Sequence, residues 1–139
     1  MKKLCAILFV ATISIISLPS CGGGGSKNPD PPAEENLAIT ANPALGGQVE
    51  AAAPGPNFPV AVTVTSKMPP QGVKVDVTAK EDGTGTVFYT DTKTTSVTTS
   101  NFVITNTPAG VTCRVTVTVT SVSKATNTAS GFYLYSRKQ

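Results

Sequence analysis

Side chains able to do chemistry are few in this chain, and the missing types narrow the field most. Three cysteines stand at Cys5, Cys21 and Cys113, and there is no histidine. A thiol attacks as its thiolate and needs a basic neighbour to reach that state. With no imidazole anywhere, Cys113 lacks that partner. It falls between Val111 and Val115 at strand spacing, the place of a small buried core residue. Catalysis by paired carboxylates needs two acids to converge, one with a raised pKa. Glu50, Asp76, Glu81, Asp82 and Asp91 are dispersed along the chain and read as solvated surface. Asp82-Gly83-Thr84-Gly85 has glycines but neither a Gly-Lys-Ser/Thr nor a following helix, so a hairpin turn accounts for it. Zinc and copper want histidines, of which there are none, and more cysteines than the single Cys113 of the domain. A weak calcium site from Glu81, Asp82 and Asp91 is the one metal reading left, and no regularly spaced ligand loop surrounds it. The expectation is a protein that is not an enzyme and carries no cofactor or metal.

Recognition without chemistry needs exposed side chains. The aromatic residues of the later chain are Phe58, Phe88, Tyr89, Phe102, Phe132, Tyr133 and Tyr135. Most alternate with polar residues, as core or edge packing requires. In Gly131-Phe132-Tyr133-Leu134-Tyr135 both faces of a strand would be apolar. Tyr133 and Tyr135 are then either covered by the domain or form an exposed binding strip.

Cys21 is the cysteine with a context of its own. Met1-Lys2-Lys3 opens a short apolar run from Leu4 to Ile16, followed by Ser17-Leu18-Pro19-Ser20. Two cations, a hydrophobic segment and small residues form the pattern of a secretory signal peptide, here 1–20. The run is too short to cross a bilayer core, which takes about 20 apolar residues, and Pro19 stops a helix.

Leu18-Pro19-Ser20-Cys21 resembles a bacterial lipobox, with Leu18, Ser20 and Cys21 fitting and Pro19 departing from the commonest pattern. The resemblance implies cleavage before Cys21, a diacylglyceryl group on its thiol, and anchoring by two or three acyl chains, enough for stable attachment. Gly22 to Ser26 and the stretch Lys27-Asn28-Pro29-Asp30-Pro31-Pro32-Ala33-Glu34-Glu35 have no apolar side chains to bury, so 21–36 reads as a leash. A glycine-rich leash after a lipidated cysteine resembles lipoproteins of Bacteroidetes-like Gram-negative bacteria. That implies a cell-envelope location, lipid-anchored at the outer membrane, with the periplasmic and outer sides both open.

The foldable remainder, 37–139, suffices for one core. Lys2 and Lys3 leave with the leader, so the precursor's net charge of +3 drops to +1. Nothing basic is concentrated enough for nucleic acid. Period-two alternation dominates: Val60, Val62 and Val64, then Val73, Val75, Val77 and Ala79, then Val111 to Thr120 with threonine on every other position. One apolar and one threonine face suit a sheet half in water. Pro-Pro-Gln-Gly, Glu-Asp-Gly-Thr-Gly, Thr-Pro-Ala-Gly and Ser-Lys-Ala-Thr-Asn punctuate these runs. Strands are predicted near 37–42, 48–52, 58–66, 73–80, 85–91, 96–105, 111–121 and 128–136: an all-β, immunoglobulin-like sandwich of about seven antiparallel strands.

Asn106-Thr107-Pro108-Ala109-Gly110-Val111-Thr112-Cys113-Arg114-Val115-Thr116-Val117 resembles the E–F corner and F strand of fibronectin type III and related immunoglobulin-like domains. Pro108, Gly110, Val115 and Val117 match, while Thr107 holds the family's leucine position, Cys113 its tyrosine, and there is no tryptophan. The expected function is a non-enzymatic, lipid-anchored envelope protein that presents this domain to an envelope protein or another surface. The loops 68–72, 81–85 and 123–127 are its expected adaptable surface. The alternative is a small glycan-binding accessory lipoprotein of a polysaccharide-uptake system, using Tyr133 and Tyr135.

Overall fold

The computed structural model describes residues 33–139. These form eight strands: β1 (Ile39–Asn42), β2 (Gly46–Val49), β3 (Phe58–Val64), β4 (Val73–Glu81), β5 (Val87–Thr95), β6 (Thr99–Ile104), β7 (Thr112–Ser121) and β8 (Thr128–Ser136). They make a β-sandwich. One sheet has the order β1-β3-β6 and the other β2-β8-β7-β4-β5. All pairings are antiparallel except β2 with β8, which is parallel. Sequence neighbours pair directly only in the β4–β5 and β7–β8 hairpins, and the other connections cross or switch sheets. This is the immunoglobulin-like arrangement expected, with a β8-β7-β4 centre and β5 added at its edge.

Alternation in the sequence becomes the two faces of each sheet. Val60, Val62 and Val64 of β3, and Phe102 and Ile104 of β6, point into the core from the small sheet. Val73, Val75, Val77 and Ala79 of β4 meet Ser121, Val119, Val117 and Val115 of β7 in register from the large one. β-branched side chains fill a pleated, two-sided interior well, and each buried valine removes apolar area worth about 1.5–3 kcal/mol. On the solvent side of the large sheet, Thr90, Thr78 and Thr116 run across β5, β4 and β7 in one row, and Thr92, Asp76, Thr118 and Ser130 in the next.

Expected and observed strands differ most at the edges. β5 runs to Thr95, where a strand ending at 91 is expected, and the next strand starts correspondingly later. An edge strand buries little, so Thr92–Thr95 carries no apolar alternation to announce it. Inward positions of β5 instead hold Asp91 and Lys93, opposite Val77 and Val75. The Lys93 ammonium lies 4.5 Å from the Phe102 ring centre and donates to the Asn101 carbonyl of β6. It thereby caps the open side between the two sheets. Inward charge on an edge strand is a known safeguard against sheet-to-sheet aggregation.

Gly72, before β4, is required by geometry. Its φ is +79°, and a Cβ there would sit 2.4 Å from the Thr95 carbonyl oxygen. Its N–H donates to Pro69 and its carbonyl accepts from Val122, joining two loops of the same end.

Candidate functional site

The register sorts the loops into two ends. At one end lie residues 65–72, 96–98 and 122–127, together with the point where the chain enters the sandwich ahead of β1; Val64 hydrogen-bonds to Thr98 there, and Thr65 to Ala38. This is the entry end. At the far end lie residues 50–57, 82–86 and 105–111, bound to each other and to the last residues: Thr107 donates to Pro56, Asp82 to Thr112, Gly110 to Arg137 and Lys138 to Ala53. The expected surface loops therefore do not form one site. Residues 68–72 and 123–127 share the entry end, and 81–85 belongs to the far end.

Entry is fixed by a side chain that sequence reading passed over. Asn127 is buried, at 6% exposure. Its amide oxygen accepts from the Leu37 N–H at 2.9 Å, and its amide nitrogen donates to the Glu35 carbonyl at 2.9 Å and the Glu34 carboxylate at 3.1 Å. The Ser123 hydroxyl donates to the same carboxylate, and the Lys67 N–H donates to Glu35 Oε2 at 3.4 Å. Hydrogen bonds from Ser123 and then Asn127 hold the Glu34 carboxyl below the usual carboxylate range. Contact with the domain thus starts at Glu34, inside the stretch read as leash and ahead of the expected start at Leu37. An asparagine in a turn carries no mark in the sequence of partners some ninety positions away.

Tyr133 and Tyr135 are not a surface. Both are 0% exposed, because the alternation of β8 turns them inward beside Val115 and Cys113 of β7. With Phe58 they form a ring cluster, its centroid 4.4 Å from that of Tyr135 and 6.0 Å from that of Tyr133. The Tyr135 and Thr107 hydroxyls share a 2.6 Å hydrogen bond, and the Thr107 carbonyl accepts from Arg137 at 3.1 Å. Tyr135, the cross-strand neighbour of Cys113, thus ties its hydroxyl to the 105–111 corner. Burial pushes the Tyr135 phenol up to about 12. The Tyr133 phenol is raised further by burial, then by Tyr135 and Glu50. Among the described residues its hydroxyl is the buried side-chain polar atom without a hydrogen-bond partner. On the outer face of β8, the Arg114 guanidinium lies 4.1 Å from the Phe132 ring centre, and Gly47 packs against the same ring. Phe132 is therefore no open platform either.

The remaining chemical candidates are spoken for. Cys113 is a 0% exposed free thiol, pushed up to about 11 by burial and then by the charge of Glu81, which opposes nucleophilic use. Glu81 accepts from Thr84 at 2.6 Å, Asp82 pairs with Arg114 at 2.7 Å, and Asp91 accepts from Tyr89 at 3.4 Å. These three acids do not converge. Among the described residues no group of three metal-ligating side chains forms, which withdraws the calcium reading. No helix among them is long and apolar enough to cross a membrane. Cys21 and the leader lie outside the described residues.

No protein-family model matches the chain, and no curated protein matches it.

Proposed function

We propose that this chain is a lipid-anchored envelope protein that works by presenting its β-sandwich to a partner, without catalysing a reaction. The observation that supports this reading most is the latch at the entry end. A segment beginning at Glu34, thirteen residues beyond Cys21, is bound to one end of a sandwich whose interior is filled, through the Glu34 carboxylate and the backbone of Glu35 and Leu37. An anchor, a leash and a fixed point of attachment are the parts a presented domain needs. Burial of Tyr133 and Tyr135 removes the aromatic strip on which the glycan-binding alternative depends.

The test is affinity purification with crosslinking of the tagged, full-length protein from native membranes, beside a Cys21→Ala control. The reading expects membrane association and a discrete protein partner in the native form, both lost in the control. Hydrolytic turnover of any substrate by the purified domain would overturn it.

A further inference from the structure

β5 is the last strand of the large sheet, and among the described residues no strand lies on its outer side. The register fixes which main-chain groups that edge offers. Asp82 donates to Thr112 and Gly72 accepts from Val122, so even-numbered residues of β4 turn to β7 and odd-numbered ones to β5. Tyr89, Asp91, Lys93 and Thr95 stand opposite those odd positions. The N–H and C=O groups of Thr90, Thr92 and Thr94 therefore face the open side. A nine-residue edge of this kind is a template for another strand.

Charge decides which strand fits. An antiparallel partner must turn its own free main-chain groups towards Thr90, Thr92 and Thr94. When that partner is a second copy of β5, few frames do so. A frame centred on Asp91 sets two carboxylates opposite each other, and one centred on Lys93 sets two ammonium groups opposite; both are unfavourable. A frame centred on Thr92 sets each Asp91 against Lys93 of the other copy. These are non-hydrogen-bonded pairs, in which Cα atoms lie about 4.5 Å apart and side chains meet most closely. Frames centred further out shorten the overlap and set both charges against uncharged residues. The Thr92 frame also carries Val87, 54% exposed, towards Val97 of the other copy, 63% exposed. In a single copy both charges have stand-ins. Asp91 Oδ1 accepts from the Thr92 N–H at 2.8 Å, and Lys93 donates to the Asn101 carbonyl. In the pair, the Thr92 carbonyl of the second copy takes over that N–H and frees the carboxylate.

We infer that β5 is a self-association edge, on which two copies pair antiparallel about Thr92 and join their five-stranded sheets into one. The interface is isologous, so it closes at two copies. The large-sheet edges left over are β2, only four residues long. The inward charges both restrict and direct: they forbid most frames, as a guard against aggregation must, and admit one. Replacing Lys93 by an uncharged residue opens the frames it forbids, so association then rises without a fixed register. The inference goes beyond the presentation reading and does not depend on the anchor.

Exposed ion pairs contribute little, so the pairing is weak and is best trapped covalently. The test is oxidative crosslinking of the full-length protein carrying Thr92→Cys, with the parent, which keeps its own cysteines, as the blank. Across the dyad the two Cα atoms at 92 lie about 5.5 Å apart, within disulfide reach. Two residues at position 90, or two at 94, lie about 14 Å apart and beyond it. Disulfide dimer is expected to be several-fold higher for Thr92→Cys than for Thr90→Cys or Thr94→Cys alone, and to appear when those two are mixed. Adding Asp91→Lys or Lys93→Asp to Thr92→Cys should lower it several-fold, and mixing the two charge variants should restore it, which also shows that both fold. Equal crosslinking at 90, 92 and 94 overturns the frame. Crosslinking at 92 that ignores the charge variants overturns their role in selecting it. A Thr92→Cys crosslink in native membranes that goes to a different protein instead overturns the second copy as the occupant.

Discussion

Tyr133 and Tyr135 stand two apart on one strand, are equally buried, and differ in one hydrogen bond, so the same substitution at each isolates that bond. In Tyr135→Phe the ring keeps its place against Phe58, but the Thr107 hydroxyl loses its 2.6 Å partner. Thr107 is 1% exposed, so water cannot readily replace it. Leaving a buried hydroxyl unsatisfied costs about 1–3 kcal/mol. Tyr133→Phe removes a hydroxyl that has no partner, and so relieves a desolvation penalty of the same order. The expected outcome is a loss of about 1–3 kcal/mol for Tyr135→Phe and a change between zero and a gain of about 2 for Tyr133→Phe. For a domain of this size each kcal/mol moves Tm by about 4–8 °C. Thermal and urea unfolding, followed by circular dichroism, separates the two variants readily. If Tyr133→Phe destabilises as much as Tyr135→Phe, the Tyr133 hydroxyl has a partner and the reasoning fails.

Alkaline pH should unfold the domain through its buried acids. The Cys113 thiol is raised from an ordinary 9.0 to about 11 and the Tyr135 phenol from 10.0 to about 12. The folded state therefore keeps protons that the unfolded chain has released, and stability is whole below about pH 9 and falls as pH rises towards 12. Urea midpoints across pH 8–12 measure this, and a flat profile would contradict the burial argument. Gly72→Ala should cost at least about 2 kcal/mol, from positive φ and the 2.4 Å approach to Thr95; denaturant titration reads it directly. Lys93→Thr should leave the fold in place but raise self-association, because it removes the charge that caps the β5–β6 side. Sedimentation at rising concentration would show that, and an unchanged monomer would refute the capping role.

The sandwich was legible where a strand has one wet and one dry face. Val60 to Val64, Val73 to Ala79 and Cys113 to Val119 announce themselves by alternation because burial imposes it. Edge strands do not, which is why the threonines of late β5 and the glycines of β2 gave poor boundaries. The double apolar face of β8 left two readings open, and only the packing of Phe58 and the Thr107 bond decided between them. Thr107 and Tyr135 are 28 positions apart, and Asn127 and Leu37 are 90. Single polar residues that meet across such separations leave no periodic trace. Cys21 is the reverse case, since the lipidation proposed for it rests on the residues just before it.

The central claim is the anchor, and the most direct measurement is intact mass spectrometry of the mature chain extracted from native membranes. The account predicts a polypeptide beginning at Cys21, heavier than its sequence by a diacylglyceryl group with or without an N-terminal acyl chain, and no such species from Cys21→Ala. A mature chain with an unmodified Cys21, or one that begins at another residue, would contradict it.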